Sequence, residues 1–159
     1  MKLNLGSGEK EIEGYTNVDV IHGQEVFPLA FDSESVDEIR ASHILEHFSF
    51  RETLNILKEW NRVLKVGGII KIAVPDFDLI TTQFLGHIMM EGYLFGGQID
   101  RYDYHKALFT EGKLTQLLWN AGFNNFSRWE SEIDDCARLQ VSLNIQAIKS
   151  YGVLNIKPD

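Results

Sequence analysis

A turn of Gly-Ser-Gly at residues 6–8 is the feature that most constrains how this chain can fold. It directly follows Lys2 to Leu5, whose alternating apolar residues predict a short first strand. The two glycines can adopt backbone angles closed to other residues, and without side chains they let a ligand approach main-chain N–H groups. A second predicted strand, Thr16 to Val20, carries Asp19 near its end, where a carboxylate can accept hydrogen bonds from both hydroxyls of a ribose. The turn and the acid together predict a nucleoside-binding site.

The path from the glycine turn to Asp19 is short. Ten residues separate Gly8 from Asp19, whereas dinucleotide-binding folds place their acid about 20 residues beyond the glycines, with a helix between. The residues between Gly8 and the start of the second strand are too few for a helix of about three turns, so a turn must replace that helix. Without a helix N-terminus to hold a pyrophosphate, a dinucleotide ligand is disfavoured.

Strand and helix patterns alternate along the rest of the chain. A capping box, Ser49-x-x-Glu52, predicts the start of a helix, and Thr110 can cap another. These patterns predict an α/β fold, a three-layer, Rossmann-like, mostly parallel sheet with helices on both faces and the first helix reduced or missing. Ligands on such sheets sit beyond the carboxyl ends of the strands. The further predicted strands are Ser35 to Ser42, Gly68 to Val74 and Val141 to Lys149.

Length and charge exclude several classes of protein. A chain of 159 residues suits one domain, which we assign to residues 1–159. The net charge of −8, with no run of Lys or Arg, would repel a phosphate backbone, so neither nucleic acid nor an anionic membrane is an expected partner. The single cysteine, Cys136, suits a reducing compartment. We therefore expect a cytoplasmic protein with a small-molecule substrate, and we leave its oligomeric state open.

The order of these motifs resembles that of the class I S-adenosylmethionine-dependent methyltransferases. The match runs through LNLGSG (residues 3–8), NVDV (17–20), PLAFDSESVDEIRASHILEHF (28–48) and EWNRVLKVGGIIKIAVPDF (59–77). More narrowly, the chain looks like the small predicted methyltransferases in which the second strand almost directly follows the glycine turn. The resemblance implies a methyltransferase enzyme with S-adenosylmethionine as its cofactor.

The resemblance also implies which residues contact the cofactor. The glycine turn would lie against its methionine part, the acid against its ribose, and the residues that follow the acid against its adenine. The end of the strand at Ser42 would border the sulfonium. The implied cofactor-binding residues are Leu5, Gly6, Ser7, Gly8, Asp19, Val20, Ile21, Leu29, Ser42 and His43.

The segment from His43 to His47 allows three interpretations. Read literally it is H-x-x-E-H, a zinc-peptidase signature, but that site needs a long helix and this segment leaves a strand. It also resembles the E-x-x-E-H segment of some methyltransferases that hold a divalent metal, with His43 in place of the first Glu, which favours a softer metal than magnesium. In the third interpretation, Glu46 and His47 make hydrogen bonds that close a turn. We predict no bound metal and keep His47 as a candidate general base.

Residues 78–110 are the expected lid and substrate insertion, because glycines and aromatic residues concentrate there. The resemblance implies that this segment covers the methyl-acceptor pocket. His105 would then join His47 as a candidate catalytic residue.

Methyl transfer to a small-molecule or sugar-like acceptor, through oxygen or nitrogen, is the function that the resemblance implies. Two alternatives stay open. One is a catalytically silent module that binds S-adenosylmethionine or a partner, because the shortened scaffold leaves little room for an acceptor pocket. The other is a nicotinamide-dependent oxidoreductase, which would have to bind a dinucleotide.

Overall fold

The computed structural model describes residues 1–151, and residues 152–159, the end of the predicted single domain, lie outside the described residues. The strands are β1 (Lys2–Leu5), β2 (Thr16–Val18), β3 (Val36–Ser42), β4 (Leu64–Pro75), β5 (Phe123–Arg128) and β6 (Ser142–Lys149). They form one sheet in the order β2-β1-β3-β4-β6-β5. The first four are parallel, and β6 runs antiparallel to both of its neighbours. The α-helices of the described residues are α1 (Thr53–Val63), α2 (Phe77–Gln83), α3 (Met90–Phe95) and α4 (Glu111–Asn120).

One face of the sheet is apolar because alternate residues of each strand point to the same side. Leu3 pairs with Ile39, Ile39 with Ile70, and Ile70 with Ala147, and all four side chains are fully buried. Helices α1 and α4 contact each other and add their apolar residues to this core, which include Ile56, Leu57, Trp60, Leu114 and Leu118. The arrangement confirms the predicted α/β, Rossmann-like, mostly parallel fold.

The opposite face of the sheet is polar. The register places Asn4, Arg40, Lys71 and Gln146 side by side across four strands. A loop over residues 129–138, with a three-residue 3-10 helix at Cys136–Arg138, packs on this face, where we predicted helices. Polar side chains need hydrogen-bond partners, which the apolar face of a helix does not offer. A loop can supply these partners.

The buried guanidinium of Arg40 holds this loop on the sheet. It donates to the Asp135 carboxylate and to Ser131 Oγ, and its carbon lies 5.4 Å from the ring centroid of Trp129. The Trp129 indole N–H in turn donates to the carbonyl of Ile72 at 3.1 Å. A charged side chain in this position is stable only while these partners stay in place.

The connection from β1 to β2 contains turns and no helix, as the short spacing predicts. The N–H of Lys10 donates to the Ser7 carbonyl at 3.0 Å, and the N–H of Tyr15 donates to the Ile12 carbonyl at 3.1 Å. The Asn17 amide group donates to the Lys10 carbonyl at 3.0 Å, which ties the loop to β2. The reduction of the first helix is therefore confirmed.

The predicted helix starts differ in their outcome. Thr110 caps α4, since its hydroxyl oxygen accepts a hydrogen bond from the N–H of Lys113 at 3.2 Å. The capping box at Ser49 is wrong, because Ser49 Oγ accepts from the N–H of Arg51 and closes a tighter turn. Helix α1 begins later, at Thr53, after a Glu52 that makes no side-chain cap.

The predicted insertion at residues 78–110 contains most of α2 and all of α3. These helices share a small apolar cluster with Val141, in which Ile80 and Leu94 are buried. Throughout residues 1–151, no helix combines the length and the apolarity needed to cross a membrane.

We expect Asp135→Ala to lower the free energy of unfolding by about 3 kcal/mol, because it leaves the buried Arg40 charge without its partner. Urea unfolding followed by circular dichroism measures this loss. The matched control is Asp134→Ala, which removes an exposed carboxylate from the same loop and should change the free energy by less than about 0.5 kcal/mol.

The loss should also depend on pH. Burial raises the pKa of Asp135, but hydrogen bonds from Arg40 and Ser131 outweigh it and hold that pKa below its ordinary value. A lowered pKa in the folded state means that the carboxylate stabilises the fold fully above its unfolded pKa of about 3.9. The difference between wild type and Asp135→Ala should be constant from about pH 5 to 7 and shrink as the pH falls below about 4. A difference that stays constant down to pH 3 would contradict this assignment.

Candidate functional site

A cavity of about 610 Å³ opens at the carboxyl end of β1, beside the segments that follow β2 and β3. Its volume falls within the usual range of small-molecule sites, about 300 to 1,000 Å³. Its position is the one at which open α/β sheets bind ligands. The cavity is lined by Gly6, Asp19, Val20, Glu25, Val26, Ile44, His47, Phe48, Ser49, Glu52, Asp100, Tyr102, Asp103 and Lys106.

The carboxylate of Asp19 joins the glycine turn to the end of β2. One oxygen accepts from the N–H of Gly8 at 2.8 Å, and the other accepts from the N–H of Ile21 at 3.0 Å. Asp19 thereby caps a 3-10 helix at Val20–His22. Each carboxylate oxygen has further acceptor capacity, so the same group can also receive hydroxyl donors from a ligand.

Gly6 is required by both its backbone angle and its surroundings. Its φ is +63°, and a Cβ added there would lie 2.6 Å from the Ile44 side chain. Gly8 has a similar φ of +53°, but nothing lies within 4 Å of its added Cβ. The close approach of Ile44 therefore distinguishes two glycines that the sequence pattern treats alike.

The cavity wall carries far more negative than positive charge. Five of the residues that line it are acidic, and Lys106 is the lone Lys or Arg among them. In a partly enclosed cavity such carboxylates attract cations and repel anions more strongly than they would in water. The acidic residues are Asp19, Glu25, Glu52, Asp100 and Asp103.

Residues 78–110, the predicted insertion, form one side of the cavity. Four of its residues line the wall, and Tyr102 among them is half exposed. The N–H groups of Lys106 and Ala107 donate to the carbonyl of Glu46 at 2.7 and 3.2 Å, which fixes the end of the insertion beside the segment that leaves β3. Whether the insertion moves as a lid stays a prediction.

Both candidate catalytic histidines lie at this junction. The ring centroids of His47 and His105 are 5.0 Å apart, in an edge-to-face arrangement. His47 lines the cavity. Burial lowers the pKa of His105, an effect that the nearby Glu46 carboxylate opposes and His47 adds to, so its neutral form is favoured near pH 7. Two imidazoles thus meet where the acceptor is expected.

The structure places the ten predicted cofactor-binding residues unevenly. Gly6, Asp19 and Val20 line the cavity, and Gly8 contacts Asp19. The side chains of Leu5 and Leu29 lie in the apolar core. Ser7 is buried, and its hydroxyl donates to the Gly8 carbonyl. Ile21 is exposed, and Ser42 is half-buried at the end of β3. His43 contacts Ser142 and Glu46.

Sequence reasoning missed much of the cavity wall. It did not assign Ile44, Phe48 or Glu52, although they follow β3, and positions after a strand of a parallel sheet are where ligand contacts are expected. No local signal marks Asp100 and Asp103, which reach the cavity through the fold of the insertion.

Comparison with known proteins supports the predicted resemblance. A family model described as a methyltransferase domain matches residues 5–72. A demethylmenaquinone methyltransferase of Staphylococcus haemolyticus is 29% identical over 131 residues, which cover 76% of this chain and 54% of the relative. The chain thus spans about half the length of that relative.

Solved structures share the fold. A methyltransferase from Methanosarcina mazei, described as S-adenosylmethionine-dependent, matches with a TM-score of 0.68 at 18% identity, over 95% of this chain and 92% of that one. The 1,6-didemethyltoxoflavin-N1-methyltransferase of Burkholderia thailandensis, solved with bound 1,6-didemethyltoxoflavin and S-adenosylhomocysteine, matches with a TM-score of 0.64 at 17% identity, over 94% of this chain and 71% of that one. These matches confirm the Rossmann-like fold, and the methyltransferase-domain model supports S-adenosylmethionine as the cofactor.

We expect Gly6→Ala to destabilise the protein more than Gly8→Ala. Both substitutions place a side chain in the left-handed region, at a cost of about 1–2 kcal/mol. Gly6→Ala also drives a methyl group into Ile44, which should add about 1–3 kcal/mol. Urea unfolding of the two variants measures the difference, and equal losses would show that the contact with Ile44 relaxes freely.

Proposed function

We propose that this chain, whose matched domain and fold are those of the class I S-adenosylmethionine-dependent methyltransferases, transfers the methyl group of that cofactor to a small-molecule acceptor. The observation that carries the proposal is the acidic cavity at the glycine turn, with Asp19 at its wall. Because the chain spans about half of its curated relative, the proposal concerns the activity of this domain.

The residues present fit the cofactor. Asp19 lines the cavity and retains acceptor capacity for two ribose hydroxyls beside the N–H donors that it already binds. At Gly8, nothing lies within 4 Å of an added Cβ, so a ligand can approach this stretch of backbone. Val20 and Val26 offer apolar contacts for an adenine.

The charge of the cavity favours this cofactor over a dinucleotide. The sulfonium and ammonium groups of S-adenosylmethionine are cations, which five nearby carboxylates attract. A pyrophosphate would face the same carboxylates, and the turn between β1 and β2 offers no helix N-terminus to hold it. The same carboxylates also disfavour the nicotinamide-dependent alternative, which would have to bind a pyrophosphate.

The cofactor supplies a methyl group bonded to a positively charged sulfur, and this sulfur leaves when the acceptor attacks the methyl carbon. The work of the protein is then mainly to hold the acceptor in line with that methyl group. Ile44, Phe48 and Tyr102 provide apolar surface around the acceptor. We propose that His47, in the cavity wall, accepts the proton of an acceptor hydroxyl or amine, and that His105 beside it orients His47 or shares this role.

We propose a small acceptor that is methylated on oxygen or nitrogen. Two matched proteins support a small molecule, since one is named for demethylmenaquinone and the other for the N1 position of didemethyltoxoflavin. The net charge of −8 argues against a nucleic-acid acceptor. The lone Cys136 supports the cytoplasm as the compartment.

Radiolabelled methyl transfer from S-adenosylmethionine to the small-molecule fraction of a cell extract tests the proposal. We expect Asp19→Asn to raise the KM for the cofactor at least tenfold, about 1.4 kcal/mol, with a smaller change in kcat. The amide places an NH2 group against one of the two backbone N–H donors and loses an acceptor for the ribose.

The matched control is Asp32→Asn, which neutralises an exposed carboxylate outside the cavity and should leave both constants unchanged. Calorimetry with S-adenosylmethionine and NAD⁺ completes the test. Tight cofactor binding without transfer to any fraction would favour the silent module. Binding of NAD⁺ in preference to S-adenosylmethionine, or a folded Asp19→Asn with unchanged affinity, would refute the proposal.

A further inference from the structure

We propose that Glu46, His47 and His105 form a binding site for a divalent transition-metal ion beside the cavity that His47 lines. One potential ligand atom from each residue lies within 4.8 Å of the others. The proposal departs from the metal-free site predicted from the sequence. It also replaces His43, the partner that the sequence suggested for such a site, by a residue 58 positions further along the chain from His47.

The carboxylate of Glu46 lacks satisfactory partners. Glu46 is fully buried, and among the described residues neither of its oxygens has a hydrogen-bond donor in suitable geometry. The Nδ1 atom of His43 lies 3.1 Å from one oxygen, a contact that is an ion pair only when His43 is protonated. A buried carboxylate without donors is costly. Coordination of a cation would satisfy both of its oxygens.

The two imidazoles supply the nitrogen ligands. The Nδ1 atom of His105 lies 3.1 Å from the carbonyl of Tyr93; donation of its N–H to that carbonyl leaves Nε2 with a free lone pair. Metal-bound histidines are held in this way by a backbone carbonyl on their other nitrogen. His47 Nδ1 is buried and, among the described residues, has no hydrogen-bond partner. The imidazole rings of His47 and His105 meet edge to face and are not stacked.

The backbone already holds these ligands together. Glu46 and His47 belong to a 3-10 helix, Leu45–His47, whose Leu45 is anchored in the apolar core. The carbonyl of Glu46 accepts from the N–H groups of Lys106 and Ala107, which fixes the chain next to His105. Ligands on one ion at about 2.0–2.2 Å lie no more than about 4 Å apart, so small side-chain rotations would close the site.

The donor set indicates the class of ion. Two imidazoles and one carboxylate suit zinc, cobalt or iron(II), whereas magnesium prefers oxygen ligands alone. Three protein ligands leave a coordination position open. Because His47 also lines the cavity, a hydroxyl acceptor bound at that position would lose its proton to solvent water more readily. This last step rests on the proposed function, and in it His47 is a ligand instead of a base.

Calorimetry with zinc chloride and visible spectroscopy with cobalt chloride test the site on tag-free, chelator-treated protein without cofactor. We expect one ion per chain and a cobalt spectrum with ligand-field bands. His47→Ala, His105→Ala and Glu46→Gln should each weaken zinc binding at least tenfold. Removing a residue that only hydrogen-bonds to a metal ligand already weakens metal binding by about that much. The matched control His87→Ala removes an exposed imidazole outside the cluster and should bind zinc like the wild type.

Thermal unfolding with and without zinc separates lost binding from lost folding. The Tm of the wild type and of His87→Ala should rise with zinc, whereas that of His105→Gln, a substitution close in size, should not. The proposal would be overturned if the wild type bound zinc no more tightly than the double variant His47→Ala/His105→Ala. Unchanged zinc affinity in the single variants would overturn it as well. A negative result with zinc, together with normal calorimetric binding of S-adenosylmethionine, would remove the metal site and leave the proposed function standing.

Discussion

The two hydrogen bonds that the carboxylate of Asp19 accepts from Gly8 and Ile21 are the contacts on which the candidate site depends. They fix the glycine turn against the end of β2, where other Rossmann-like folds use a helix. In this chain, turns span the connection, and Asp19 links them to the end of β2. A single carboxylate thus shapes the wall of the cavity and remains available to a ligand.

Charged residues are paired on the polar face of the sheet and mostly unpaired at the edge that borders the cavity. The apolar face is covered by α1 and α4, whereas the polar face relies on Arg40, Asp135 and Trp129 to hold a loop in place. At the edge of the sheet, the acidic residues of the cavity remain largely without cationic neighbours among its lining residues. Ion pairing holds the loop on the polar face, and the acidic residues at the edge would attract a cationic ligand.

Local patterns predicted the fold well and the site in part. The strand at Lys2–Leu5, the cap at Thr110 and the missing first helix follow from spacing and residue type over a few positions. The start of α1 was misplaced because Ser49 closes a turn with Arg51, a choice that the capping pattern alone does not decide. Strand β5 was not predicted, because FNNFSR lacks a clear alternation.

The remainder of the site depends on contacts between distant parts of the chain. Ile44 explains the requirement for Gly6, and the hydrogen bonds from Lys106 and Ala107 to Glu46 bring His105 to His47. Periodicity cannot reveal either contact, because each depends on how segments pack after the sheet has formed. The sequence could nominate His47 and His105 separately, and the fold is what unites them with a buried carboxylate.

A crystal structure with S-adenosylhomocysteine bound tests the central claim most directly. We expect the ribose hydroxyls against the carboxylate of Asp19, the amino-acid part along the glycine turn, and the sulfur facing the side of the cavity that contains His47. Density for the ligand outside this cavity, or a ribose that makes no contact with Asp19, would contradict it.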